Sequence, residues 1–225
     1  MRLTEAHLSR VARVVPDTGP PPGMVLHSDA DYDDWVARMI ATHPAPDRPT
    51  RLFAYGSLIW KPEIAHTAEA PGTAAGWHRS FCFRTPRFRG TPEQPGLMMA
   101  MDRGGTCRGI LYDLPVDDLA TQFGRLFRRE FTAKPANSMP RWIKVQTSDG
   151  PTDALAFVMN RASPSYVGRQ PPEDVARTLA RACGHWGSGA EYLYNTVVHL
   201  EARGIRDQGL WRLQRLVAAE IDALA

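Results

Sequence analysis

The chain has 225 residues, with 27 Lys and Arg against 24 Asp and Glu for a formal net charge of +3; 43% of residues are hydrophobic and 23% charged. These values suit one folded domain with a substantial core and exclude a disordered or fibrous chain, while so small a surplus of positive charge does not mark a nucleic-acid-binding surface. No run approaches the roughly 20 apolar residues of a membrane helix, Met1–Val15 lacks the apolar stretch of a secretory signal, and three scattered cysteines (Cys82, Cys107, Cys183) suit a reducing compartment. The expectation is a cytoplasmic protein with neither membrane nor nucleic acid as a partner.

Residues 1–15 are predicted as a short helix, ended by Pro16 and by the Pro/Gly-rich stretch through Gly23. Residues 1–24 thus form an N-terminal helix and connector ahead of a single domain over 25–225. Ser28-Asp29-Ala30-Asp31 supplies helix-start residues, and Trp35, Val36, Met39 and Ile40 carry helical spacing to about His43. Strands are predicted over 52–59, 76–84, 96–102 and 107–113, with Gly104-Gly105 as a hairpin turn. A helix over 116–130 is followed by strands over 141–147 and 153–160 and a loop over 161–170. The glycine-rich stretch 184–189 reads as a connector between helices over 172–183 and 190–203, and a last helix runs from 207. Helices, a strand-rich middle with one inserted helix, then helices again give an α+β class.

Two places carry chemistry. The apolar run Leu52-Phe53-Ala54-Tyr55 meets Gly56-Ser57 and returns to Leu58-Ile59-Trp60. This suits a buried strand that turns sharply at its end, where successive N–H groups form either a nest for an anion or an ordinary turn. The second place is the helix over 116–130. Leu119, Phe123, Leu126 and Phe127 mark one inward stripe, and the next position on it is Glu130. Burial and the negative end of the helix dipole both disfavour its charged form, so its pKa is expected to be raised, as a proton acceptor near neutral pH requires. The other reading is a helix-terminal carboxylate in solvent or paired with an arginine. Arg128 and Arg129 are expected to project away from the stripe.

Other signals resolve to structure. The seven histidines show no metal-ligand spacing, and Ser57 lies outside a G-x-S-x-G elbow. The mixed aromatic and basic run over 77–89 reads as an alternating strand followed by a basic loop, in which one arginine could hold a substrate carboxylate.

The ordered set of segments resembles the ChaC-type γ-glutamylcyclotransferases. It comprises Phe53–Trp60, Gly76–Phe81 with Arg89–Glu93, Cys107–Gly109, Arg129-Glu130, Pro164–Gly168, Glu191–Thr196 and Gly204–Asp207. The resemblance implies an antiparallel β-barrel flanked by helices. It also implies a small-molecule substrate, glutathione, cleaved to 5-oxoproline and cysteinylglycine without cofactor or metal. By the same resemblance Tyr55, Gly56, Ser57, Leu58, Ile59 and Trp60 hold the γ-glutamyl group, Glu130 is the general acid/base, and Tyr166 closes over the substrate. The stretch Phe131–Met139 departs from the pattern of relatives, which keeps open another γ-glutamyl amine or peptide as substrate, or a γ-glutamyl-binding module without catalysis.

Overall fold

A computed structural model describes residues 1–224. Its helices are α1 (Glu5–Val11), α2 (Asp29–Ala41), α3 (Ser57–Trp60), α4 (Leu119–Glu130), α5 (Pro172–Arg181), α6 (Gly189–Glu201) and α7 (Gln208–Asp222). The strands are β1 (Val25–Leu26), β2 (Arg51–Ala54), β3 (Ala68–Thr85), β4 (Gly96–Asp113), β5 (Ala133–Lys134), β6 (Ser138–Thr147), β7 (Gly150–Met159), β8 (Cys183–Gly184) and β9 (Gly187–Ser188). The expected α+β class holds.

The chain divides into two compact units. One comprises Gly23–Arg79 and Ala100–Ser163; the other comprises Met1–Pro22, Ser80–Met99 and the chain from Pro164 onward. The first is a closed barrel in the order β2-β4-β3-β6-β7. β2 runs antiparallel to β4, pairing Leu52 with Tyr112 and Phe53 with Leu111, and β6 and β7 form a hairpin that Gly150 turns at φ +105°. Closure is made by parallel pairing, Leu52 opposite Leu155, so the barrel is not antiparallel throughout. Both faces of β2 are covered, and Leu52, Phe53 and Ala54 are fully buried. That is why the run reads as continuously apolar rather than alternating.

Outside the barrel, α4 lays Phe123, Leu126 and Phe127 into the core, each at most 1% exposed. Phe127 meets Phe157 of β7 edge-on at 5.9 Å. Burying a side chain of this size contributes about 2–3 kcal/mol. Helix α2 packs beside α4. Its start is fixed by a capping box, in which the Ser28 hydroxyl accepts from the Asp31 N–H and the Asp31 carboxylate accepts from the Ser28 N–H. The Tyr32 hydroxyl donates to the Phe131 carbonyl at 3.0 Å, tying α2 to the residue after Glu130.

The other unit is helical. α5, α6 and α7 pack on one another, and α1 packs on α6 and α7. Arg89 is buried there, with Nη1 donating to the Ser188 carbonyl at 2.9 Å and to Glu191 at 2.8 Å.

Three local expectations are corrected. The strand predicted over 52–59 stops at Ala54, because residues 57–60 form the single helical turn α3. Gly104-Gly105 is not a hairpin turn. It lies inside β4, where φ values of +103° and +71° kink the strand without reversing it; the His78 ring bonds the Gly104 carbonyl at 2.9 Å across from β3. The glycine-rich stretch after α5 is a small hairpin of β8 and β9 rather than a plain connector, with Gly187 at φ +98°.

Candidate active site

The turn is positioned from both sides. Gly109 on β4 lies so close to β2 that a Cβ there would come within 2.4 Å of the Ala54 carbonyl oxygen and 2.7 Å of the Phe53 ring. Its missing side chain therefore sets how near the strand end can come. Arg79 on β3 holds the next carbonyl, donating from Nε to the Tyr55 oxygen at 2.6 Å, and its Nη2 donates to the Arg108 carbonyl. Arg79, one of the four arginines of the run over 77–89, thus braces the turn. The Tyr55 hydroxyl reaches into the barrel and donates to the Phe157 carbonyl at 2.9 Å.

Gly56 is the N-cap of α3, and Ser57 begins it. The Ile59 N–H returns to the Gly56 carbonyl and the Lys61 N–H to the Ser57 carbonyl, at 2.9 and 2.8 Å. The N–H groups of Ser57 and Leu58, in the first turn, lie ahead of any acceptor within the helix. The side chains of Leu58 and Ile59 are core, 4% and 2% exposed, whereas Ser57 and Trp60 are half-buried. What the turn offers a ligand is therefore main-chain N–H together with the Ser57 and Trp60 side chains.

Glu130 ends α4 on the predicted stripe, and its side chain is 17% exposed. Its pKa is pushed up from 4.5 to about 6, chiefly by desolvation; the nearby Glu63 adds to this and the Arg129 guanidinium opposes it. Arg129 does not project away, contrary to expectation. It too is 17% exposed, and its Nε stands 3.4 Å from Glu130 Oε1. That is longer than a charge-assisted hydrogen bond of about 2.7–2.9 Å, because the Nη1 end of the guanidinium is bound elsewhere. Its Nη1 donates to the Lys61 carbonyl, to the Pro62 carbonyl at 3.1 Å and to Glu63 Oε2 at 3.1 Å. Burial therefore outweighs the adjacent cation. Arg128 does face outward, to Asp29 at 2.6 Å.

Arg129 thereby links Glu130 to the segment that leaves α3. Arg129 and Glu63 were missed by sequence reasoning. Their contact spans 66 positions, and the only local signal was the Arg-Glu pair itself.

Tyr166 belongs to the helical unit. Its segment is paired to β3 as an extra strand: Phe83 and Tyr166 form an antiparallel bridge, the Arg84 N–H donates to the Ser165 carbonyl and the Val167 N–H to the Cys82 carbonyl, both at 2.9 Å. The backbone around Tyr166 is thus hydrogen-bonded on both sides within its unit. Phe131, which opens the divergent stretch, is buried against Tyr32, Trp35, Phe127 and Phe157. β5 within that stretch pairs with β1.

Fold and site together define an α+β closed-barrel protein that presents a protonatable carboxyl at a helix end, linked through an arginine to the segment that leaves a strand-to-helix turn. The chain belongs to the ChaC-like family: residues 50–220 match the model of the ChaC-like protein. The glutathione-specific gamma-glutamylcyclotransferase of Escherichia coli is 35% identical over 176 residues, covering 78% of this chain and 75% of its own. The human glutathione-specific gamma-glutamylcyclotransferase 1 is 27% identical, covering 77% of each. A crystal structure of the yeast gamma-glutamyl cyclotransferase specific to glutathione superposes with a TM-score of 0.68 at 18% identity, over 76% of this chain and 96% of its own, and supports the fold. Among the described residues, no helix is long and apolar enough to cross a membrane.

Proposed function

We propose that this protein cleaves glutathione to 5-oxoproline and cysteinylglycine, with Glu130 as general acid/base, and that it works in the cytoplasm. The observation that carries the mechanism is the Glu130 carboxyl, shifted to about 6 at the end of α4 and joined through Arg129 to the segment leaving the turn. The family membership and the relatives' activities support the choice of substrate.

The reaction is an internal acyl transfer. The α-amine of the γ-glutamyl group attacks its own γ-carbonyl, the lactam nitrogen loses a proton, and the amide nitrogen of the cysteinyl residue departs after receiving one. The α-amine is protonated at neutral pH, so a base must deprotonate it. A carboxyl titrating near 6 is largely ionised at pH 7 and still a competent acid for the leaving amine. Holding the two ends of the γ-glutamyl chain at reacting distance supplies much of the remaining acceleration. In this reading Tyr55–Trp60 grips the γ-glutamyl group. The N–H groups of Ser57 and Leu58 meet an anionic oxygen.

The test is incubation of purified protein with glutathione and detection of 5-oxoproline and cysteinylglycine, beside Glu130→Gln. Product from the wild type and its loss in the folded variant are expected. Turnover of another γ-glutamyl amine but not glutathione would replace the substrate, and undiminished activity in Glu130→Gln would remove the mechanism.

A further inference from the structure

We propose that Arg129 is a positioning residue for Glu130, and that Glu63 and Lys61 hold Arg129 to that task. The inference rests on the reading of Glu130 as the acid/base, and it assigns roles to residues which that reading leaves unused.

Three observations carry it. First, Arg129 binds a folded segment rather than a single partner. One of its nitrogens serves two consecutive carbonyls, Lys61 and Pro62, and the Glu63 carboxylate. A guanidinium has five N–H donors in a rigid plane, so fixing one edge on the 61–63 segment fixes where the Nε edge faces. That edge faces Glu130. Second, Glu63 adopts φ +51°, in the left-handed region that non-glycine residues seldom occupy. A conformation of this kind persists where its surroundings enforce it. Here Glu63 is clamped by Arg129 Nη1 at 3.1 Å and by Lys61 Nζ at 3.0 Å. Third, the charges alternate. Glu130 meets Arg129, Arg129 meets Glu63, and Glu63 meets Lys61.

The alternation has a chemical consequence. An arginine placed 3.4 Å from the acid/base without counter-charge would hold Glu130 ionised and make it a poor acid for the leaving amine. Glu63 offsets that cation while leaving its geometry in place. The charged groups acting on Glu130 are Arg129 from its own helix and Glu63 from the segment after α3. Removing Glu63 should move Glu130 toward ordinary carboxyl behaviour; removing Arg129 should move it the other way.

The experiment is the pH dependence of kcat and kcat/KM for 5-oxoproline formation, with wild type, Glu63→Gln, Arg129→Lys and Arg129→Gln. Glu63 is half exposed, so Glu63→Gln is expected to fold. Its acid limb should shift to lower pH by about half a unit, the size expected of one charge several ångströms away. Arg129→Gln should shift the limb upward and lower kcat by roughly 10- to 100-fold, as misplacement of a reacting group does. Arg129→Lys keeps the charge but not the planar fork, so its limb should stay near that of the wild type while kcat falls. An acid limb unmoved in Glu63→Gln, in an enzyme that Glu130→Gln inactivates, overturns this inference and leaves the acid/base reading standing. If Glu130→Gln is itself active, the reading beneath it fails instead. Should Arg129→Gln not fold, the Glu63→Gln profile still decides.

Discussion

Asp102 and Glu130 are both nearly buried carboxyls beside an arginine in the barrel unit, and they are partnered in opposite ways. Asp102, on β4, accepts from Arg161 Nε at 2.7 Å and from the Arg103 N–H at 2.8 Å, and Arg161 also donates to the Arg103 carbonyl. Glu130 has Arg129 at 3.4 Å, with that arginine's Nη1 committed to carbonyls and to Glu63. A buried carboxylate is tolerated when hydrogen bonds replace its water, as at Asp102. Withholding those bonds leaves the proton as the alternative partner, as at Glu130. The difference between a structural and a reactive acid is thus one of donors supplied.

The contrast can be broken by exchanging consequences. Glu130→Gln should lower the rate of 5-oxoproline formation by about 10²–10⁴-fold, the usual worth of a positioned acid/base, with circular dichroism and Tm showing an intact fold. Asp102→Asn should do the reverse. It leaves Arg161 without its anion and should cost about 1–3 kcal/mol in denaturant unfolding, while the rate per folded molecule stays within about twofold because Asp102 is not part of the site. If Asp102→Asn abolished turnover in folded protein, the distinction would fail.

The same carboxyl gives the protein a pH-dependent stability. The folded-state pKa of Glu130 is raised from 4.5 to about 6. The folded protein therefore holds this proton where the unfolded chain has released it, and the stability this confers is fully present below pH 4.5 and lost as pH rises through 6. The loss is about 2 kcal/mol. Glu130→Gln, which cannot ionise, should unfold at higher denaturant than the wild type at pH 8 by about that amount, and the gap should close toward pH 4.5. The variant that loses catalysis should be the more stable one at neutral pH. A variant equally stable at both pH values would mean the carboxyl is not held against its ionised form.

The sequence carried the Glu130 placement because a helix repeats its inward face every three to four residues, and the stripe of Phe123, Leu126 and Phe127 extends to it without tertiary information. The helix start at Ser28 was legible from its residue types alone, which are local too. Arg129 was misread because its direction depends on carbonyls of Lys61 and Pro62, which no periodicity connects to α4. The strand end at Ala54 and the kink at Gly104-Gly105 were misplaced because both depend on neighbouring strands. Gly109 must admit the Phe53 ring, and β4 runs on through its two glycines. The two-sided burial of β2 hid the alternation that would have marked its end.

The most direct test of the account is a carbon-13 NMR titration of the Glu130 carboxyl, assigned by comparing wild type with Glu130→Gln. The account predicts a midpoint near 6, coincident with the acid limb of kcat/KM. A midpoint near the ordinary glutamate value of about 4.3 would contradict it.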